Sequence, residues 1–229
     1  MAKERPGKKL LRIGHRGACG HAPENTLASI EQAIALGCDF AEVDVQRTAD
    51  GSLVLLHDSD VDRTTDGKGL VAEINLEDLQ QLDAGGGQKV PTLEEALQTT
   101  SGRIGLVLEL KGEGLAYDLV STVRASGFSG PVIYASFQPD DLQHIRRIEP
   151  DGRTMILFDR LPKLPVAEAL NFQATHVGLR FTKATAPLVQ ALHKAGLTAF
   201  VYTVNKPADI KRMHALDVDG IVSDWPERI

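Results

Sequence analysis

Short apolar runs bounded by turn residues alternate along this chain with stretches whose apolar positions recur every three or four residues. Leu10-Leu11-Arg12-Ile13-Gly14 reads as a first strand that stops at His15-Arg16-Gly17. Leu27, Ile30, Ala33, Ile34 and Leu36 then fall at helical spacing until Gly37, with Asn25 or Thr26 as the N-cap. Residues 40–46 and Leu53-Val-Leu-Leu56 flank Asp50-Gly51, the pattern of a β-hairpin. Side chains alternate faces along a strand, so Glu42 and Asp44 share one face. A two-residue loop at Asp50-Gly51 sets Asp44 opposite His57, and a four-residue loop at 48–51 sets Glu42 there. Either even-length loop brings His57 to the carboxylate face, and a one-residue slip reverses it. Two acids and an imidazole on one face are costly to gather unless a cation or substrate uses them.

Residues 58–90 lose this rhythm and read as a small insertion after the second strand, with a weak helical pattern over 74–82. Thr92-Leu-Glu-Glu95 forms a capping box for a helix through Leu97. Strand candidates at 104–110, 132–137, 154–158, 176–179, 199–204 and 220–223 then alternate with helical patterns. With the first two strands this makes eight of the parallel type. The expected fold is α/β: a single (β/α)8 TIM barrel domain over residues 1–229, with a β-hairpin extension and the 58–90 insertion. An open doubly wound sheet is the alternative, but the repeats are near-regular and no Gly-rich phosphate loop is present.

A net charge of −6 argues against a nucleic-acid binder. Lys3, Arg5, Lys8, Lys9 and Arg12 crowd the N-terminus and read as a solvated tail. No apolar run follows that tail and none reaches membrane-spanning length, so neither a signal peptide nor stable membrane insertion is expected. The two cysteines, Cys19 and Cys38, suit a reduced compartment, and the cytoplasm is the expected location. Oligomeric state is left open.

Chemistry in a barrel sits at the C-terminal strand ends. His15 and Arg16 end the first strand, Glu42 and Asp44 lie late on the second, and Glu109 and Lys111 end the third parallel one. Asn205 and Asp224 follow the last two. Glu42, Asp44 and Glu109 offer oxygen ligands and no thiolate, which favours one divalent cation, Mg²⁺ or Ca²⁺. A zinc site recruiting His15 and His57 is the rival. With a hard cation on the acids, the two histidines are free to act as general base and general acid near neutral pH. Arg16 and Lys111 add donors for an anionic substrate oxygen. The combination describes phosphoryl transfer or phosphodiester cleavage better than sugar or acyl chemistry. Asp58-Ser-Asp60-Val-Asp62 imitates an EF-hand loop, but Arg63 stands where Gly is required and Gly69 where Glu is required. His144, His176, His193 and His214 fall on helices or at the wrong barrel end, and His21 lies nearer the rim.

His15-Arg-Gly17, Pro23-Glu-Asn-Thr26, Glu42-Val-Asp44, His57-Asp58, Arg63-Thr-Thr65, Glu109-Leu-Lys111, Tyr202-Thr-Val-Asn205 and Gly220-Ile-Val-Ser-Asp-Trp-Pro226 follow one another in that order. The ordered set resembles the small bacterial glycerophosphodiester phosphodiesterases. The resemblance implies a metal on Glu42, Asp44 and Glu109, His15 and His57 as the acid–base pair, and phosphate contacts from Arg16 and Lys111. It implies a small-molecule glycerophosphodiester substrate, cleaved to sn-glycerol 3-phosphate and an alcohol. By analogy with phosphoinositide phospholipases, the glycerol 2-hydroxyl attacks, a cyclic phosphate forms, and water opens it. His57 is assigned as first base and His15 as first acid. Phe137, Tyr202 and Trp225 are expected as an apolar rim against the glycerol carbons, and Asn25 as a further substrate contact. Tyr202 stands where the family usually carries Trp, and Cys19 and His21 where Ser and Tyr are commoner. A lysophospholipase D-type hydrolase would need an apolar channel or docking surface that the sequence does not show. A non-catalytic phosphodiester-binding barrel would have lost a histidine or carboxylate, and none is missing.

Overall fold

A computed structural model describes residues 9–229. Of the basic N-terminal residues, Lys3, Arg5 and Lys8 lie outside the described residues. Lys9 and Arg12 are tied down: Lys9 pairs with Asp39, and Arg12 donates to the Leu36 and Ile229 carbonyls at 3.2 and 2.7 Å.

The strands are β1 (Leu11–Gly14), β2 (Phe40–Arg47), β3 (Leu53–Leu55), β4 (Gly105–Leu110), β5 (Val132–Ser136), β6 (Arg153–Phe158), β7 (His176–Arg180), β8 (Thr198–Tyr202) and β9 (Gly220–Ser223). Parallel neighbours run β1-β9-β8-β7-β6-β5-β4-β2, and the β1–β2 pairing closes the ring, leaving β3 antiparallel on β2. Helices α1 (Leu27–Ala35), α2 (Leu76–Leu79), α3 (Leu93–Thr100), α4 (Ala116–Ala125), α5 (Pro139–Ile148), α6 (Pro165–Asn171), α7 (Ala186–Lys194) and α8 (Pro207–Ala215) complete the TIM barrel. Thr26 is the α1 cap and exchanges hydrogen bonds with Ser29, while Thr92 and Glu95 form the capping box of α3. Among the described residues no helix is long and apolar enough to cross a membrane.

Strand alternation sorts the side chains. Val43, Val45, Leu106 and Leu108 pack outward against the helices, while Ile13, Phe40, Val107 and Phe200 fill the barrel interior. The inner face of β2 therefore runs Phe40, Glu42, Asp44, and that of β4 runs Gly105, Val107, Glu109. Asp44 is in register with Glu109 across the two strands. Apolar packing at the bottom thus gives way to carboxylates at the mouth.

Residues 58–90 hold a 3-10 turn at Val71–Glu73 and the short α2. They sit over an apolar cluster of their own that includes Val54, Leu56, Val61, Val71 and Leu79.

The hairpin corrects both expected loop lengths. Val45 pairs with Leu55, Gln46 with Val54 and Arg47 with Leu53, which makes the loop three residues, Ala49-Asp50-Gly51. Thr48 N–H donates to the Ser52 carbonyl at 3.0 Å, the Thr48 hydroxyl accepts from Ser52 N–H at 3.0 Å, and Gly51 takes φ +88°. A left-handed residue at the third loop position is the usual way to close such a loop, and Gly51 takes it without strain. An odd loop continued in register would turn His57 away from the carboxylates. The ladder stops first: β3 ends at Leu55, and Gln46 Nε2 holds the Leu56 carbonyl at 3.0 Å and the Asp58 carbonyl as well. His57 reaches the mouth by leaving the strand, not by register.

Gly105 is a tight inner position, because an added Cβ would lie 2.5 Å from the Phe40 ring and 2.8 Å from Pro131. Gly105→Ala should cost about 1–3 kcal/mol through forced repacking, read as a lower urea midpoint. An unchanged midpoint would mean that the layer beneath the carboxylates has slack.

Candidate active site

The β1–α1 loop is shaped to serve Glu42. Arg16 takes φ +49° and Asn25 φ +57°, both left-handed. In that conformation Arg16 N–H donates to Glu42 Oε2 at 2.9 Å, and the Arg16 carbonyl accepts from Ser29 Oγ at 2.8 Å. Only glycine fits next, since a Cβ on Gly17 would come 2.3 Å from Ser29 Oγ. Strain of this kind persists where the surrounding structure overdetermines it, often at functional sites.

Glu42, Asp44 and Glu109 bring carboxylate oxygens within 4.8 Å of one another. Burial and the neighbouring Asp44 charge push the Glu42 pKa up, and the same two causes raise Glu109. Lys111 Nζ lies 2.7 Å from Glu109 Oε1 and 3.5 Å from Asp44 Oδ1, while Arg16 Nε lies 3.5 Å from Asp44 Oδ2. Burial alone would lower the Lys111 pKa, but Asp44 and Glu109 outweigh it and raise it. Buried acids that repel one another and carry only oxygen donors fit a hard divalent cation.

Asn25, expected among the substrate contacts, is 3% exposed and has its amide committed elsewhere. Its Nδ2 donates to Asp44 Oδ2 at 2.8 Å, and its Oδ1 accepts from Asp44 N–H at 3.1 Å. Its part is to orient Asp44.

Each histidine has an aspartate on Nδ1. His15 Nδ1 is 2.6 Å from Asp224 Oδ1, and His57 Nδ1 is 2.6 Å from Asp58 Oδ1. That leaves Nε2 of each ring for chemistry. Burial works to lower the His15 pKa, but the Asp224 hydrogen bond and the Glu42 charge outweigh it and raise it. Asp58 is held down at about 2, chiefly by Arg63. Both histidines line a cleft of about 420 Å³ with Arg16, Asp44, Glu109, Lys111, Phe137 and Tyr202. Phe137 and Tyr202 meet edge to face at 6.2 Å. Trp225 does not line this cleft: it packs over Gly20, edge-on to His21 at 4.9 Å, with Arg228 above it at 4.4 Å.

Several participants carried no role in the sequence. Glu24 accepts two hydrogen bonds from Arg63, both 2.8 Å, and one from Arg16 Nη1 at 2.6 Å. Arg63 Nε also binds Asp58, so an insertion residue supports the carboxylate that supports His57. The far wall of the cleft carries an Asp159–Arg180 ion pair at 2.8 Å. The Pro23-Glu-Asn-Thr26 and Arg63-Thr-Thr65 strings were the available signal for Glu24 and Arg63. Asp159 and Arg180 directly follow the strands expected at 154–158 and 176–179, so the strand-end position was the available signal for them.

The family model described as the glycerophosphoryl diester phosphodiesterase family matches residues 15–228. The chain belongs to that family. A Bacillus subtilis relative is 37% identical over 95% of each chain. The glycerophosphodiester phosphodiesterase of Caldanaerobacter subterraneus is 34% identical, covering 96% of both. Among solved structures, an Oleispira antarctica phosphodiesterase in complex with the product sn-glycerol-3-phosphate superposes with a TM-score of 0.89 at 29% identity, over 95% of this chain and 94% of that one. A glycerophosphodiester phosphodiesterase from Agrobacterium tumefaciens gives 0.86 at 32% identity, over 96% and 98%. The family generally uses a divalent metal, and Glu42, Asp44 and Glu109 form an acidic group suited to one.

Arg63→Ala should lower kcat by about 10–100-fold, the scale seen when a partner that orients a functional side chain is removed. Arg63→Lys should restore only a small part, since one ammonium cannot make the three contacts of the guanidinium. Steady-state kinetics beside thermal unfolding checks this. Full activity in a folded Arg63→Ala protein would remove Arg63 from the support of His57.

Proposed function

We propose that this protein hydrolyses glycerophosphodiesters to sn-glycerol 3-phosphate and a free alcohol, by two-histidine acid–base catalysis with Mg²⁺ or Ca²⁺. The observation that carries this reading is the pair of carboxylate-backed imidazoles lining one cleft with Arg16, Lys111 and the three-carboxylate group. The product found in the Oleispira antarctica neighbour supports the same substrate class.

Glu42, Asp44 and Glu109 would hold the cation, which when bound supplies Lewis-acid polarisation of a phosphoryl oxygen. Arg16 and Lys111 donate to the phosphate and stabilise charge on its oxygens as the transition state forms. His57 Nε2 takes the proton of the glycerol 2-hydroxyl, whose oxygen attacks phosphorus. His15 Nε2 gives its proton to the departing alcohol oxygen, leaving a cyclic phosphate. The roles then exchange: His15 takes a proton from water, and His57 returns one to the 2-oxygen as the ring opens. Asp58 and Asp224 fix ring orientation and tautomer throughout. Phe137 and Tyr202 flank the glycerol carbons. A cytoplasmic setting agrees with free thiols at Cys19 and Cys38.

The test is glycerol 3-phosphate release from glycerophosphocholine and glycerophosphoethanolamine, first with chelator and then with Mg²⁺, Ca²⁺ or Zn²⁺ restored. Chelator should stop release, and Mg²⁺ or Ca²⁺ should restore it. No release from folded protein under any metal overturns the reading. His15→Ala and His57→Ala should each lower kcat by about 10²–10⁴-fold without a change in unfolding. A near-parental kcat in either would remove that histidine from the mechanism. Glu109→Gln should raise the metal concentration for half-maximal rate, and an unshifted curve would take Glu109 out of the ligand set.

A further inference from the structure

Beside the acidic group lies a second cluster of ligand-type atoms with a different chemistry. Cys19 Sγ, His15 Nδ1 and Asp224 Oδ1 all lie within 4.8 Å of one another. Sγ is 3.9 Å from Nδ1 and 3.0 Å from Oδ1, and Nδ1 is 2.6 Å from Oδ1. All three residues are half-buried, with the His15 and Asp224 side chains 21% and 27% exposed.

The cluster is built rather than accidental. Asn205 Nδ2 holds the other Asp224 oxygen at 2.6 Å, and Asn205 Oδ1 accepts from Asp224 N–H at 3.0 Å. Oδ1 is thereby turned towards both Sγ and Nδ1. Gly20 N–H donates to the Asp224 carbonyl at 3.0 Å and Cys19 N–H to the His15 carbonyl at 3.3 Å, so the backbone holds the ligand-bearing segments together.

Zinc bonds of about 2.3 Å to sulfur and about 2.0–2.1 Å to nitrogen or oxygen require sulfur and nitrogen about 3.5 Å apart in a tetrahedron. The observed sulfur–nitrogen separation is close to that. The carboxylate oxygen sits at hydrogen-bond distance from each because protons occupy the intervening space. A cation replacing those protons needs the oxygen to withdraw by about half an ångström from sulfur and about three-quarters from nitrogen. One sulfur, one imidazole nitrogen and one carboxylate oxygen form a zinc-type donor set, unlike the all-oxygen group alongside.

We propose that Cys19, His15 and Asp224 bind Zn²⁺ at a site separate from the acidic group, and that its occupation switches the enzyme off. On binding, the thiol proton leaves to solvent as the sulfur–zinc bond forms. The Nδ1 proton is lost and a proton resides on Nε2, so a neutral imidazole ligates through Nδ1. Thiolate and carboxylate balance the two positive charges, and water takes the fourth position.

Inhibition, but not binding, rests on the acid–base role proposed for His15. A ring with zinc on Nδ1 keeps its Nε2 proton as a neutral N–H, a far weaker acid than imidazolium. It can neither give that proton to the leaving alcohol nor accept one from water.

The experiment is a Zn²⁺ titration of the intact enzyme in saturating Mg²⁺ or Ca²⁺. The parent protein should lose activity with one equivalent bound, unrelieved by a tenfold rise in Mg²⁺ or Ca²⁺ and reversed by chelator added only in the amount of the zinc, with Mg²⁺ or Ca²⁺ still in large excess. Cys19→Ser should keep its zinc-free rate and need at least tenfold more Zn²⁺ for the same loss. Independently of rate, Co²⁺ should give a near-ultraviolet thiolate charge-transfer band that saturates at one equivalent. The band should vanish in Cys19→Ser and persist in Cys38→Ser. Equal zinc sensitivity in Cys19→Ser, or no thiolate band, overturns the site. A band without loss of rate overturns the switch. Normal turnover by His15→Ala would instead sink the proposed mechanism and leave the ion site standing.

Discussion

The mutual repulsion of Glu42, Asp44 and Glu109 is the constraint around which the rest of the barrel mouth is arranged. Asp44 is 1% exposed and Glu42 6%, and beneath them the interior is apolar, so water cannot screen the charges. What offsets the repulsion comes from several elements at once. Arg16 contributes a backbone N–H to Glu42 and a guanidinium near Asp44, Asn25 contributes its amide, and Lys111 bridges Asp44 and Glu109. Two left-handed backbone conformations, at Arg16 and Asn25, are the conformational cost of bringing these groups in. Arg16 and Lys111 stand 3.5 Å from Asp44, and a bound dication would complete the balance there.

Barrel closure and site assembly are the same event on one side of the cleft. Pairing of β1 with β9 sets Gly14 beside Ser223, and His15 N–H then donates to the Ser223 carbonyl at 2.9 Å. The residues that follow each strand, His15 and Asp224, are thereby brought within 2.6 Å although they lie at opposite ends of the chain. A protein that fails to close its barrel cannot hold His15 against Asp224. The chemistry reports on the fold.

The sequence made the strands and helices legible because each has its own period, two or 3.6, and its own caps. The acids and His15 were legible because strand ends in a barrel share one rim, whereas His57 was placed through a hairpin register that the chain does not keep. What escaped was set by contacts without a period. The loop after Arg47 was read as even because Asp50-Gly51 is a two-residue turn signal, yet Thr48 and Gly51 close it with three. Asn25 has the chemistry of a substrate contact, and only the approach of Asp44 shows its amide committed. Trp225 was placed on the glycerol side by its position after the last strand, but the bare backbone of Gly20 makes the seat that draws it away. Asp159 and Arg180 come from the ends of β6 and β7 and meet only because those strands are neighbours.

The two histidines differ in what holds them, and that difference has a mechanical consequence. His15 is fixed by the closing strands of the barrel, whose loss is global unfolding. His57 lies past the end of β3, carried by Asp58, Arg63 and a satellite core that includes Val54, Leu56, Val61 and Val71. A small cluster under irregular backbone opens at lower free energy than a closed sheet. Glu24 accepts hydrogen bonds from Arg16 and from Arg63 alike, so it links the rigid side to the looser one. Local opening of the insertion would therefore misplace His57 first while leaving His15 and Asp224 in place. The insertion is thus the element positioned to move one histidine without the other.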